Sequence, residues 1–412
     1  IYSSMRTLTE HSNWWDLEET TDVCVTPVKN HGLWYDGGIY IRLHQHSWME
    51  EDAHLNNIWN ALYSGVSSAN RVLYQFENST IEMNGKENYI AELKVARAFY
   101  YYLLLEAFGN VPIIDRFDVP DGYLPATEPR SKVFEFVESE LKNNINNLSE
   151  DVLNTYGRFN KWNAKMLLAR LYLNAEAWIG TPMYNECENL CNEIIATNKY
   201  RLDGDYSLPF STNNELSNET MFVIPFDETK SGGQIYMWAR KTLHYSQMQT
   251  FNLQATWLDG GCVGVPTFFD NYIEGDKRLE KTWRMGQQYA LDGTPLWTNG
   301  WCGDPQMLLS YTKDVTNISG DATMYQGYRF GKYEIKIGAT GTPDNDYVIM
   351  RYAEVLMMKA ECILRTGGSS QEAAELVNEV RRRNFDTTNE LTGSELEATT
   401  ICNMVVFFKN LV

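Results

Sequence analysis

The sequence predicts an all-α fold, a superhelix of paired helices interrupted by one large loop-rich insert. Three observations carry this. Apolar residues recur at helical spacing in both halves of the chain, and short capped turns join successive helical segments. Between Tyr200 and Asp346 the pattern changes to Gly, Pro, Asn and aromatics, with only brief apolar bursts such as Met221-Phe-Val-Ile-Pro225.

Residues 1–56 are irregular and aromatic, with Trp14, Trp15, Trp34, Tyr35, Tyr40 and Trp48 among Gly and Asp, so loop is the expected state. From Asn57 to Phe76 the residues Ile58, Trp59, Leu62, Tyr63, Val66, Val72, Leu73 and Phe76 form a helical stripe. Ala91 to Phe108 repeats the pattern with Leu93, Ala96, Phe99, Tyr100, Leu103 and Leu104, and Gly109 and Pro112 end it. A third helix follows Ser131 as N-cap and buries Val133, Phe134, Val137, Leu141, Ile145 and Leu148. Asn163–Trp178 and Pro182–Thr197 are predicted to make a tight hairpin in which Thr181 caps and Pro182 takes the first helical position, where its missing N–H costs nothing.

The last hairpin begins at Tyr352, with Val355, Leu356, Met358, Ala360 and Ile363 inward and Gly367 as a left-handed C-terminal cap. Ser369 and Glu372 match a capping box for the helix that follows, which presents Ala373, Leu376, Val377 and Val380. Each helix has a single apolar stripe and needs a neighbour to bury it, so all seven are expected to form one contiguous right-handed stack. Units of roughly 35 to 40 residues suit tetratricopeptide-like repeats, although the strict repeat signature is absent. The expected organisation is a single domain: loops over 1–56, helices over 57–199, a ligand-binding insert over 200–346, the hairpin over 347–384 and an atypical tail over 385–412.

Composition narrows the function. With 12 Trp, 25 Tyr and 17 Phe in 412 residues the chain supports a full core. Acids outnumber bases 54 to 35, a net charge of -19 that disfavours nucleic acid and anionic membrane surfaces. The seven cysteines form no Cys-x-x-Cys pair, and Cys187 and Cys191, four apart on a predicted helix, are read as small core residues. The longest apolar runs fall far below the roughly 20 residues that a spanning helix requires. The chain begins at Ile1 without Met, an apolar signal core or a lipobox cysteine, so any export signal is expected to have been removed.

Catalytic patterns are weak. His44-Gln-His46 would place two imidazoles on one face of a strand, but His11, His31, His54 and His244 supply no second ligand pattern. The acids Glu50-Glu51-Asp52, Asp203-Gly-Asp205 and Asp344-Asn-Asp346 are read as turn caps rather than as a glycosidase pair or a calcium loop. No nucleophile elbow, phosphate loop or dinucleotide fingerprint is present, and no metal or cofactor is expected. Trp238, Trp257, Trp283, Trp297 and Trp301 instead crowd a polar, Gly-rich region where core partners are few, so some should be exposed.

Several blocks resemble a known family in colinear order. Trp59-x-x-x-Tyr63 with Ala69-Asn70 is followed by Ala91 to Ile114, ending Phe-Gly-x-Val-Pro, and by Gly157-Arg-Phe-Asn-Lys-Trp-Asn-Ala-Lys-Met-Leu-Leu-Ala-Arg-Leu-Tyr-Leu173. Tyr200-x-Leu202, Asn218-Glu-Thr-Met-Phe222, Gly275-Asp-Lys-Arg278, Arg351-Tyr-Ala-Glu354 and Asn378-Glu-Val-Arg-Arg-Arg383 complete the series. Together they resemble the SusD/RagB family of glycan-binding outer-membrane lipoproteins. The departure is Leu396 to Val412, which lacks the family's usual continuation, so the last fifteen or so residues are expected to be poorly anchored.

The resemblance implies a non-catalytic protein that captures polysaccharide or oligosaccharide at the surface of a Gram-negative bacterium of the Bacteroidetes type. It further implies an N-terminal lipid anchor, lost here, and a SusC-like TonB-dependent transporter beneath the protein. No residue-level motif carries the binding site across, so the platform is argued from the residues. Trp34-Tyr-Asp-Gly-Gly38 and Trp297-Thr-Asn-Gly-Trp301 each set aromatics beside Gly and a polar partner with no helical stripe to hide them. Sugar C–H faces stack on such rings while hydroxyls need amides and carboxylates. The expected ligand-binding set is Trp34, Tyr35, Asp36, Tyr289, Trp297, Asn299 and Trp301. The competing readings are a helical glycoside or metal-dependent hydrolase using the N-terminal His and acids, and a peptide-binding repeat scaffold.

Overall fold

The computed structural model describes residues 1–398 apart from 11–12, 231–236, 255–257, 301–302, 341–343 and 386–388, with backbone alone at 15 and 237–239. Seven helices carry the main core: α1 (Ala53–Glu77), α2 (Lys86–Phe108), α3 (Arg130–Asn144), α4 (Lys161–Leu173), α5 (Tyr184–Ala196), α6 (Tyr352–Arg365) and α7 (Ser370–Arg382). Each packs on the next, α6 returning from the far end of the insert to lie against α4 and α5. One apolar cluster accordingly runs from Ile58 and Leu62 of α1 to Val377 and Val380 of α7. The final hairpin joins the stack although more than 150 residues separate it from α5, because its stripe has no other surface to bury against.

Local chemistry sets the helix ends. The Asn160 side chain accepts from the N–H groups of Trp162 and Asn163, and Asn163 returns the bond to the Asn160 N–H, so α4 starts on a reciprocal cap. Gly367 adopts φ +73 after α6, as the spacing predicts, but only half of the expected capping box forms at α7: Ser369 Oγ accepts from the Glu372 N–H, while the Glu372 carboxylate pairs with Lys359. Residues 95–105 of α2 are buried all round where α1 and α3 flank it. Its close approach to α1 depends on Gly65, where a Cβ would stand 2.2 Å from the Tyr100 ring.

Three expectations need correction. α5 begins at Tyr184 with Met183 as its N-cap, so Thr181 and Pro182 precede the helix instead of starting it. The third helix starts at Arg130 and ends at Asn144, with Ile145–Asn147 tightened into a 3-10 turn. The N-terminal 56 residues are not plain loop: 3-10 turns at Ser3–Thr9 and Trp14–Thr20 and a short helix at Ile39–His44 bury Met5, Leu8, Tyr40 and Leu43. Cys187 and Cys191 lie buried in α5 as unpaired thiols beside Cys362 of α6.

The insert is pinned at both ends. Thr220–Ile224 pairs antiparallel with Tyr347–Arg351, and Glu219 receives Arg351 Nη1 at 2.6 Å together with the Arg383 guanidinium. Its interior is fastened to the N-terminal segment: Cys24–Val25 pairs with Val263–Gly264, and the buried Lys241 ammonium lies between Asp16, at 3.1 Å, and Glu19. The tail expected to be poorly anchored lies mostly outside the described residues; within them Gly393–Glu397 forms a short capped helix against α7.

Candidate functional site

Within the insert, residues 286–290, 294–298 and 307–311 make a small ladder in which every segment bonds to the other two. The Gln288 N–H donates to the Leu309 carbonyl at 2.8 Å, the Leu296 N–H to the Gln288 carbonyl at 2.9 Å and the Leu309 N–H to the Leu296 carbonyl at 2.7 Å. Leu296, Leu309 and Tyr311 point inward and share a core with the partly buried Tyr325 and Tyr328. Strand alternation then forces their neighbours outward. Tyr289 pairs with Pro295 and Trp297 pairs with Leu308, so all four side chains fall on one face. Tyr289 is 49% exposed, Trp297 46% and Leu308 42%.

A second segment runs along this face. Ser246 Oγ donates to the Trp297 carbonyl at 2.6 Å and Thr250 Oγ1 to the Tyr289 carbonyl at 2.7 Å. These bonds bring the segment that carries Tyr245, itself 46% exposed, to the ladder backbone at Trp297 and Tyr289. Sequence reasoning missed Tyr245 because nothing local marks it; only two hydroxyl-to-carbonyl bonds across long sequence separations place it. Preceding it, the buried His244 faces Asp304, and burial pushes the imidazole pKa down against the pull of that carboxylate. Asp304 also accepts from Asn30 Nδ2 at 2.9 Å and from the Met324 N–H at 3.1 Å, which fastens the turn after Thr298 to the N-terminal loop.

The expected site residues therefore separate. Tyr289 and Trp297 share the ladder, and Asn299 is exposed just past its end in a left-handed turn at φ +57. Tyr35 and Asp36 are exposed on the N-terminal loop, which Asn30 and Lys29 attach to the same part of the insert. Trp34 turns inward. Its Nε1 donates to the Asp259 carbonyl at 3.0 Å, its ring meets Tyr40 edge-on at 5.7 Å, and it covers Gly261. Among the described residues no ring contact joins Tyr35 to the ladder. Trp301 lies outside the described residues, as do Trp257 and the Trp238 side chain. Trp283 is buried at 3% exposure against Phe330, with ring centroids 4.3 Å apart.

The histidine and acid motifs have structural places. His44 closes a short helix and His46 follows at φ +53, so the pair does not lie on a strand. His46 Nε2 lies 2.7 Å from the Thr20 carbonyl. Asp203 accepts from Ser217 Oγ and the Asn218 N–H, Asp344 from the Glu228 N–H and Asp346 from the Phe226 N–H, each tying a turn to a distant segment. Among the described residues no group of three or more His, Cys, Asp or Glu is placed to hold a metal ion.

Residues 2–173 match a family model described as starch-binding and associating with the outer membrane, and residues 192–405 match the model of the SusD family. The chain belongs to the SusD family. The starch-binding protein SusD of Bacteroides thetaiotaomicron is 24% identical over 92% of this chain and 71% of its own length. A SusD-like protein of Bacteroides ovatus is 32% identical over 81% of this chain and 60% of its own length. Among solved structures, surface glycan-binding protein A of Bacteroides thetaiotaomicron in complex with laminarihexaose superposes with a TM-score of 0.71 at 21% identity, covering 96% of this chain and 80% of that one. A laminarin-binding SusD-like protein gives 0.71 at 21% identity, covering 99% and 88%. These likenesses establish the helical SusD-type fold.

Proposed function

We propose that this SusD-family chain captures glycan on the exposed aromatic face of the insert ladder and delivers it to a SusC-like TonB-dependent transporter of the outer membrane. The observation that carries the reading is that Tyr289 and Trp297 stand half-exposed on one face of the ladder, with Tyr245 exposed on the segment bonded to it and Asn299 exposed just past Trp297. Half-exposed rings held by backbone pairing rather than by a core offer flat apolar faces for sugar C–H groups, and the neighbouring amide offers hydroxyl partners. Tyr35 and Asp36 extend the surface from the N-terminal loop, and Trp301, two residues after Asn299 in the sequence, is proposed as a further member of the set. In this reading Trp34 supports the loop from beneath.

Membership of the SusD family and the glycan ligands named for its relatives support this proposal. Among the described residues no helix is long and apolar enough to cross a membrane, and an N-terminal lipid anchor is the attachment the family implies. The protein acts as a binder rather than a hydrolase. Affinity electrophoresis against starch, laminarin and other polysaccharides tests both parts. Retardation without release of reducing ends, lost on Trp297→Ala and Tyr289→Ala in proteins that keep their helical circular dichroism, is the expected result. Unchanged retardation in both variants would remove the platform, and release of reducing ends would make the protein an enzyme.

A further inference from the structure

One arginine beside the ladder, Arg284, has neither a carboxylate nor a carbonyl for its side chain among the described residues, whereas the buried Arg329 and Arg381 reach carbonyls. Arg97, Arg170, Arg278, Arg351 and Arg383 each reach a carboxylate, respectively Glu140, Glu354, Asp276, Glu219 and Glu219. The Arg284 side chain makes no hydrogen bond or ion pair among the described residues, and its Nε, like those of Arg329 and Arg383, is buried without a partner. Its guanidinium carbon lies 4.8 Å from the centroid of the Phe251 ring. Stacking covers one face of the cation and leaves its in-plane N–H groups as the unused donors. Nε is sealed off, so the donors that a ligand in an open pocket could meet are the terminal Nη groups.

That arginine lines an open pocket of about 350 Å³ together with Glu280, Lys281, Gln287, Gln288 and Gly331. The volume lies at the small end of the roughly 300–1,000 Å³ typical of small-molecule sites. The Lys281 ammonium pairs with Asp205, and the one lining acid, Glu280, is exposed to solvent. Gln288 is also committed, donating to the Met285 and Gly286 carbonyls and accepting from Gln247. Gly331 lets the wall close on the arginine, since a Cβ there would stand 3.4 Å from Arg284 Cγ. Burial lowers the Arg284 pKa, with the Tyr311 phenol pulling the other way, so the cation is short of negative charge.

We infer that this pocket is a subsite for the carboxylate of an acidic sugar, held by the in-plane N–H groups of Arg284. Planar guanidinium and planar carboxylate match in a two-bond fork. The subsite adjoins the proposed platform: Gln287 on its wall stands two residues before Tyr289 on the same segment and so on the same side. A net charge of -19 repels polyanions, yet exposed charges are screened beyond about 8 Å at physiological salt. The fitting ligand is thus a mostly neutral glycan carrying isolated uronate units, not a heavily charged one.

The inference rests on the glycan reading, and its test is built to fail separately. Ligand-observed NMR on the whole chain compares sodium glucuronate, glucose and inorganic sulfate. Glucuronate should bind about tenfold or more tightly than glucose, the scale of one charge-assisted hydrogen bond. Arg284→Gln should erase that preference with the melting transition retained, and Arg284→Lys should keep part of it. Equal binding of glucuronate and glucose to the unaltered protein overturns the inference, as does a preference that survives Arg284→Gln. Tighter binding of sulfate than of glucuronate overturns the carboxylate assignment. If Arg284→Gln fails to fold, loss of the preference in 0.5 M sodium chloride supports a charge-held ligand and its persistence refutes one. Trp297→Ala tests the platform separately, through retention on neutral polysaccharide.

Discussion

Trp34 and Gly261 are in such close contact that a Cβ on the glycine would stand 2.5 Å from the indole. The contact explains why a tryptophan in a Gly-rich, polar loop is not a free platform. Its ring is drawn under the loop, where its Nε1 finds the Asp259 carbonyl and its edge finds Tyr40. Gly261→Ala would have to displace the ring or the backbone, and overpacking of this kind costs about 1–3 kcal/mol. The variant should unfold at lower denaturant by that amount, measured in urea by tryptophan fluorescence. A midpoint equal to that of the unaltered protein would show that the loop yields freely.

Binding on the ladder should respond in order of exposure rather than in order of sequence motif. Tyr245→Ala is expected to weaken glycan affinity several-fold, on the scale of about 0.5–1.5 kcal/mol for an aromatic contact. Trp34→Ala should lower the melting temperature while leaving the affinity of the folded fraction near its original value. Isothermal titration with a polysaccharide that the protein retains distinguishes the two. The opposite pattern, with Trp34 decisive and Tyr245 silent, would move the surface to the N-terminal loop.

Glu219 is the hinge pin between insert and final hairpin. Burial pushes its carboxyl pKa up, but Arg351 and Arg383 together hold it below the ordinary value. Glu219→Gln leaves two enclosed guanidiniums without their counterion, and breaking a buried pair costs about 3–5 kcal/mol. Because the folded pKa is depressed, this stabilisation is complete above the unfolded value near 4.3 and is lost as pH falls through the lower folded one. The stability gap between Glu219→Gln and the unaltered protein should therefore be widest at neutral pH and narrow in acid. A gap that does not change between neutral and acid would refute the assignment.

Asp346 has the opposite sign. Burial raises its pKa to about 6, against the Tyr156 hydroxyl and the Phe226 N–H that favour the charged form. Its folded pKa lies above the unfolded value, so the native state binds a proton between the two and stability falls as pH rises through that window. Asp346→Asn removes the titration. Its stability relative to the unaltered protein should improve between pH 4 and pH 7, on the order of 1 kcal/mol or more by pKa-to-energy conversion. Urea midpoints that run parallel across this range would place the ordinary carboxylate pKa in the native state.

Much of the helical scaffold was legible because helical periodicity and caps are local. Gly367, Ser369 and the stripes of α1, α6 and α7 lie where the spacing puts them, and the family resemblance follows the same blocks. Local signals failed where two competed, as at Pro182, whose fitness for a first turn does not oblige the helix to start there. The aromatic site was half legible. Its sequence mark, rings beside Gly and polar residues, is shared by Tyr289 and Trp297, which face out, and by Trp34, which faces in.

By itself, then, the sequence determined the all-α class, the order of the helices and the place of the insert, since these follow from patterns within a few turns of chain. Only the tertiary structure decided which rings face solvent, that the segment carrying Tyr245 is fastened to the ladder, and that Arg284 is left without a carboxylate. The reason is physical: exposure and charge pairing are set by what arrives from elsewhere. Ser246 meets Trp297 across 51 residues and Asn30 meets Asp304 across 274, distances over which no periodicity carries information.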